Sequence, residues 1–248
     1  MIRSPIHKVL STLCTHSVRY LLMGGQACIF YGAAEFSRDC DIALHCEPDN
    51  LARLQAALDV LEAESIAVPP FEPGYLLRGH AVHFRCRAAG AEGMRLDVMA
   101  RMRGVAPFEE LWERRTTIDD QTGVAIEVMS LPDLVAAKKT QRDKDWPMIR
   151  RLVEAHYAEH HNDPAAERVQ FWLGSSRTPD MLIRLASEYP ELTGEKVLDR
   201  PLLAQALGSD HPALERALLE EQESERAADR AYWEPLRKEM EKLRHERR

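Results

Sequence analysis

Two hydrophobic patterns divide the chain. As far as Met129, short apolar runs alternate with amphipathic stretches, and later only helical spacing remains. Residues 6–17 carry amphipathic helical spacing. Arg19-Tyr20-Leu21-Leu22-Met23 is an apolar run stopped by Gly24-Gly25, which predicts a buried strand. A helix is expected from Gln26 to Tyr31, and Asp41-Ile42-Ala43-Leu44 continues as a second strand. Asp49-Asn50 offers an N-cap before a helix whose leucines at 51, 54, 58 and 61 form one stripe. Pro69 to Gly74 reads as a loop. Ala81 to Arg87 alternates as a half-buried strand, residues 88–93 turn, and Arg95 to Ala100 returns, which predicts a β-hairpin. Val124 to Met129 is the last expected strand. Ser130, followed by Leu131-Pro132-Asp133, starts a helix: a capping hydroxyl, an early proline and an acid in the first turn.

From residue 156 the character changes. His156 to Asp163 is polar, and helical segments then follow one another between Pro179, Pro190, Pro201 and Pro212. From Ala213 both charge signs are dense at helical spacing, as in a long solvated helix that would pack on a partner through Leu214, Leu218, Leu219, Leu236 and Leu243. No internal repeat or low-complexity tract is present. The pattern predicts an α/β (α+β) fold, a small mixed sheet flanked by helices, over residues 1–155. A helical C-terminal region over 156–248 would follow.

The 248 residues, 45% of them hydrophobic, suffice for a packed core in one large domain or two small ones. A net charge of −7 argues against a whole-surface nucleic-acid binder while leaving room for a local basic patch. Five cysteines without Cys-x-x-Cys spacing read as free thiols, mostly buried, in a reducing compartment. No signal peptide and no membrane-length apolar run are expected, which makes the protein cytoplasmic.

Candidate chemistry centres on Ser37-Arg38-Asp39-Cys40-Asp41-Ile42. On a strand, residues i and i+2 share a face, so Asp39 and Asp41 would project together. Two close carboxylates repel unless a cation lies between them or one is protonated. Hard oxygen ligands favour Mg²⁺, which keeps room for water and phosphate. Asp97, in Met94-Arg95-Leu96-Asp97-Val98-Met99, is a third candidate. The strand–Gly24-Gly25–helix sequence is a geometry that can receive a phosphate on backbone N–H groups. Lys138, Lys139, Arg142 and Lys144 form a basic segment, with Lys138 and Arg142 one helical turn apart.

Each feature has a structural reading beside the chemical one. The first two aspartates can be an exposed strand end, and Asp97 can be salt-bridged to Arg85 or Arg95. Arg142 can pair with Asp145 on a solvated helix. Ser37 can contact a phosphate or cap a turn. His156, His160 and His161 have zinc-like spacing without companion cysteines or acids, so a surface histidine cluster is expected. The four tryptophans read as packing residues.

Gly24-Gly25-Gln26-Ala27, Ser37-x-Asp39-x-Asp41, Asp97 and the Leu131–Lys139 segment followed by Arg142-Asp143-Lys144-Asp145 together resemble the nucleotidyltransferase superfamily with the DNA-polymerase-β-like fold. The likeness spans roughly residues 15–155 and is greatest to the minimal bacterial branch that includes AbiEii-type nucleotidyltransferase toxins. The resemblance implies an enzyme that moves a nucleoside monophosphate from an NTP, with two Mg²⁺ ions, onto an RNA or tRNA end, a protein side chain or a small molecule such as an aminoglycoside. It implies Asp39, Asp41 and Asp97 as catalytic and metal-binding residues. It implies Gly24, Gly25, Ser37, Lys138 and Arg142 as nucleotide-binding residues, with Lys138 or Lys139 as the family lysine. A toxin of this branch would have a cognate antitoxin as partner, or would self-associate through its C-terminal helices. The alternative is a catalytically silent module of the same fold that binds nucleotide or a partner.

Overall fold

The computed structural model describes residues 5–119 and 123–246. The chain runs as α1 (Pro5–Thr15), β1 (Tyr20–Met23), α2 (Gly24–Phe30), β2 (Asp39–Leu44), α3 (Pro48–Val60), β3 (Glu64–Ser65), α4 (Pro73–Arg78), β4 (Val82–Arg85), β5 (Arg95–Met99), α5 (Phe108–Glu113), β6 (Thr116–Asp119), β7 (Ala125–Val128) and α6 (Leu131–Ala137). Then follow α7 (Asp145–His160), α8 (Ala166–Ser175), α9 (Pro179–Glu188), α10 (Pro190–Lys196), α11 (Leu203–Leu207) and α12 (His211–Glu246). The strands form one seven-stranded sheet in the order β3-β4-β5-β2-β1-β7-β6. It is mixed: β1 is antiparallel to β2 and parallel to β7, while β2 is parallel to β5. The α/β class expected from the pattern, with its helical C-terminal region, is the class observed.

Burial explains the order. β1 is buried along its whole length, as suits a strand covered on both faces. On β2, Cys40, Ile42 and Leu44 are fully buried on one face and pack beside Leu96 and Val98 of β5, while Asp39 and Asp41 occupy the other. The expected hairpin is present: β4 and β5 are antiparallel, with Arg85 opposite Arg95 and His83 opposite Asp97. Ser130 caps α6 as its sequence suggests. Its hydroxyl donates to Asp133 Oδ2 at 2.5 Å and accepts the Asp133 N–H at 3.3 Å.

Several local expectations need correction. α2 begins at Gly24 itself. α3 begins at Pro48 with Glu47 as the capping residue, so Asn50 lies inside the helix. Buried there, Asn50 accepts the Arg19 N–H at 2.7 Å and donates to the carbonyls of Arg19 and His45 at 2.9 and 2.8 Å. That job, tying α3 to the ends of β1 and β2, is long-range and invisible to a capping rule. α4 occupies the end of the stretch read as a loop, and the short strands β3 and β6 carry too few apolar residues to stand out. α6 stops at Ala137, so Lys138 to Lys144 is a connection and not a basic helix.

The fold divides into two compact units. The sheet unit comprises Met1–Phe30, Ala34–Ala137 and Tyr232–Arg248; the helical unit comprises Tyr31–Ala33 and Lys138–Ala231. The division falls at Ala137–Lys138 instead of 155–156, because α7 buries Trp146, Ile149, Leu152 and Val153 within the helical unit. In the sheet unit, Gly79 (φ 101°) lies against the Tyr232 hydroxyl, and a Cβ there would stand 2.3 Å from it. Nearby, Glu239 accepts from Arg78 at 2.7 Å and lies 2.7 Å from Nε2 of the buried His80. In the helical unit, buried Arg200 donates to the Leu173 and Ser176 carbonyls at the end of α8 and to Glu221. A cation there opposes the negative end of the helix dipole. Among the described residues no helix is long and apolar enough to cross a membrane.

Candidate active site

Register places the three aspartates. β2 and β5 run parallel with Asp41 opposite Asp97 and Asp39 opposite Arg95. Side chains at paired positions of adjacent strands point the same way, and those two residues apart share a face. Asp39, Asp41, Arg95 and Asp97 therefore stand on one face of the sheet, joined by His83 from β4. The backbones of Asp41 and Asp97 are about 4.8 Å apart, the ordinary strand spacing.

The glycine pair closes this face at one edge. Met23 is opposite Asp41, so the chain turns into α2 directly beside that carboxylate. Gly24 has φ 66°, and a Cβ built on it would lie 1.9 Å from Asp41 Oδ2. Glycine is required here twice over, by left-handed backbone and by the carboxylate lying where a side chain would go. At Gly25 a Cβ would lie 2.4 Å from Ser37 Oγ. Ser37 donates to its neighbour's carbonyl, Asp39 O, at 3.2 Å, and Gln26 Nε2 donates to Ser37 O at 3.2 Å. In this structure Ser37 thus caps the turn into β2. The positions of Gly24 and Gly25 are fixed by Asp41 and Ser37, and α2 spans 7 residues.

Asp97 is 9% exposed, and a carboxylate so placed requires partners. It has two. Arg95 Nε donates to Asp97 Oδ1 at 2.7 Å, and His83 Nδ1 lies 2.9 Å from the same oxygen. Arg95 also reaches His83, with Nη2 to Nδ1 at 3.1 Å. The Arg95 guanidinium holds its proton more firmly than usual, chiefly through the bond to Asp97, with further support from the charges of Asp97, Asp39 and Asp41. Behind the face, burial first and the Asp41 charge second push the Cys40 thiol well up, so it stays neutral.

The three aspartates offer the hard oxygens that Mg²⁺ prefers. As arranged, they do not converge on one ion: among the described residues no three His, Cys, Asp or Glu side chains are grouped to hold a metal. Asp39 and Asp41 fit the role of ligands by donor type and shared face, whereas Asp97 is turned to Arg95 and His83.

Lys138 and Arg142 lie in the other compact unit, and both meet Asp145. The buried Asp145 carboxylate takes Arg142 Nε at 2.7 Å, the Thr140 hydroxyl at 2.6 Å and Lys138 Nζ at 3.6 Å. Lys139 Nζ lies 3.6 Å from Glu225. These cations come together because an acid collects them, not through helical spacing. His156 is likewise engaged. Its Nδ1 accepts the Nε1–H of the fully buried Trp172 at 2.9 Å, and its ring lies 4.5 Å from that of His160. Burial, then His160 and Arg168, push its pKa down to about 4.

His83 carried no recognised signal, although the hairpin register that brings Asp97 to the sheet also brings His83 opposite it. Arg95 was visible as a salt-bridge candidate, and it is the arginine that pairs.

No family model matches the chain, and no curated protein matches it. A solved structure of the antibiotic-resistance factor ANT(2'')-Ia is similar at 14% identity and a TM-score of 0.36, over 86% of this chain and 94% of that one. At this level the functional reading rests on the residues themselves.

Proposed function

We propose that the protein is a Mg²⁺-dependent nucleotidyltransferase acting on the face of β2 and β5 that carries Asp39, Asp41 and Asp97. The observation that supports this most is the pairing of Asp41 with Asp97 in register, with Asp39 on the same face and Gly24 reduced to backbone against Asp41. Asp39 and Asp41 would hold the metal, and Asp97 would join them on release from Arg95. Mg²⁺ bound there would neutralise the triphosphate and favour departure of pyrophosphate. Asp97, next to the metal-binding pair, would take the proton of the acceptor hydroxyl. The Gly24-Gly25 turn would allow the triphosphate to approach main chain where a Cβ would exclude it. An RNA or tRNA end, a protein side chain or a small molecule would serve as acceptor, with an antitoxin as partner in a toxin–antitoxin setting.

A second reading, a nucleotide-binding module without turnover, is favoured by one observation: Asp97 Oδ1 is already held by Arg95 and His83. Calorimetry with Mg²⁺ and each NTP, paired with pyrophosphate release in the presence of cell extract, separates the two. Binding with release supports the enzyme, and binding without release supports the module.

A further inference from the structure

Residues 31–38 lead from α2 to Asp39, and Ser37 fixes the end of that link. The Ser37 hydroxyl lies where a Gly25 Cβ would stand, and Gln26 Nε2 donates to the Ser37 carbonyl at 3.2 Å. Ser37 is turned to the glycine pair, and its neighbours Phe36 and Arg38 are both exposed. Phe36 is 71% exposed, more than any other phenylalanine among the described residues. The Ser37 Cα is 4.0 Å from the Gly25 Cβ position. Consecutive Cα atoms are about 3.8 Å apart, so the Phe36 Cα lies within about 8 Å of that point. Arg38 makes no hydrogen bond or ion pair among the described residues. A ring that the fold leaves in water is thus held by its backbone beside the glycine turn, with an exposed cation two residues on.

We propose that Phe36 is the platform on which the base of a bound nucleoside triphosphate stacks. This rests on the proposed function, in which the triphosphate approaches main chain at Gly24-Gly25. A base laid on the ring removes apolar surface of both partners from water and matches one flat π-system to another. Phenylalanine has no donor or acceptor with which to read a base edge, so the platform takes any of the four bases. Arg38 gives an anionic ligand a favourable charge on a segment that otherwise leads to Asp39 and Asp41.

The test is isothermal titration calorimetry of the full chain, with Mg²⁺, against each of the four NTPs. Phe36→Ala should weaken every NTP that the unaltered protein binds by about tenfold, the scale of one base stacked on one aromatic ring. Phe36→Leu keeps apolar bulk without the flat ring and should stay weakened at least about fivefold, whereas Phe36→Trp should bind within about twofold of the unaltered protein. Loss in Ala and Leu with recovery in Trp separates stacking from a packing role, which leucine would satisfy. Unchanged affinity in Phe36→Ala, full recovery in Phe36→Leu, or no recovery in Phe36→Trp overturns the proposal while leaving the nucleotidyltransferase reading in place. Absence of binding of any NTP by the unaltered protein overturns both.

Discussion

At the scale of single residues, the account depends on how little space separates Gly24 from Asp41. A methyl group at Gly24 would collide with Asp41 Oδ2 and would also strain a backbone at φ 66°. Gly24→Ala should therefore cost about 1–3 kcal/mol in urea denaturation and weaken Mg²⁺-dependent nucleotide binding. A variant of unchanged stability and binding would show that the Asp41 carboxylate does not need this cradle. Asp97 teaches the complementary point. Its place on the face follows from register, but its bonding to Arg95 and His83 follows from burial, because a carboxylate removed from water takes the donors within reach.

At the scale of elements, α7 and α8 meet through His156 and Trp172. Between about pH 6.5 and about pH 4 the unfolded chain binds a proton on this imidazole that the folded chain refuses, since its folded pKa is depressed. The contribution is therefore intact above pH 6.5 and is lost as pH falls through that window. His156→Gln keeps an acceptor for the indole and removes the titration. The gap in melting temperature between the unaltered protein and this variant should shift against the unaltered protein from about pH 7.5 to about pH 4.5. A gap independent of pH would contradict the assignment.

Elements also show what the sequence could convey. Apolar runs and turns identified β1, β2, the β4–β5 hairpin and β7, and the serine before Leu131 identified the start of α6, because these depend on local pattern. β3 and β6 escaped because short edge strands have little apolar periodicity. The role of Asn50 escaped because its partner Arg19 is distant along the chain. For the candidate site, strand alternation was enough to put Asp39 and Asp41 together. The contacts of Lys138 and Arg142 with Asp145 needed the observed end of α6, which changes a supposed helix face into a connection.

At the scale of the whole molecule, the C-terminal helix belongs to two compact units, and from Tyr232 onward it is part of the sheet unit. Removing the chain from Tyr232 would uncover Gly79 and the fully buried His80 and leave Arg78 without Glu239. The truncated protein should melt at a lower temperature, and calorimetric scanning checks this; an unchanged transition would mean that the segment adds nothing to the sheet unit. The chemistry assigned to that unit is tested most directly by incubating the full chain with α-labelled NTPs, Mg²⁺ and cell extract, beside an Asp39→Asn/Asp41→Asn variant shown to be folded by circular dichroism. The account predicts label transferred to an extract component by the unaltered protein and reduced at least about 100-fold in the variant. Equal transfer by the two proteins would contradict it.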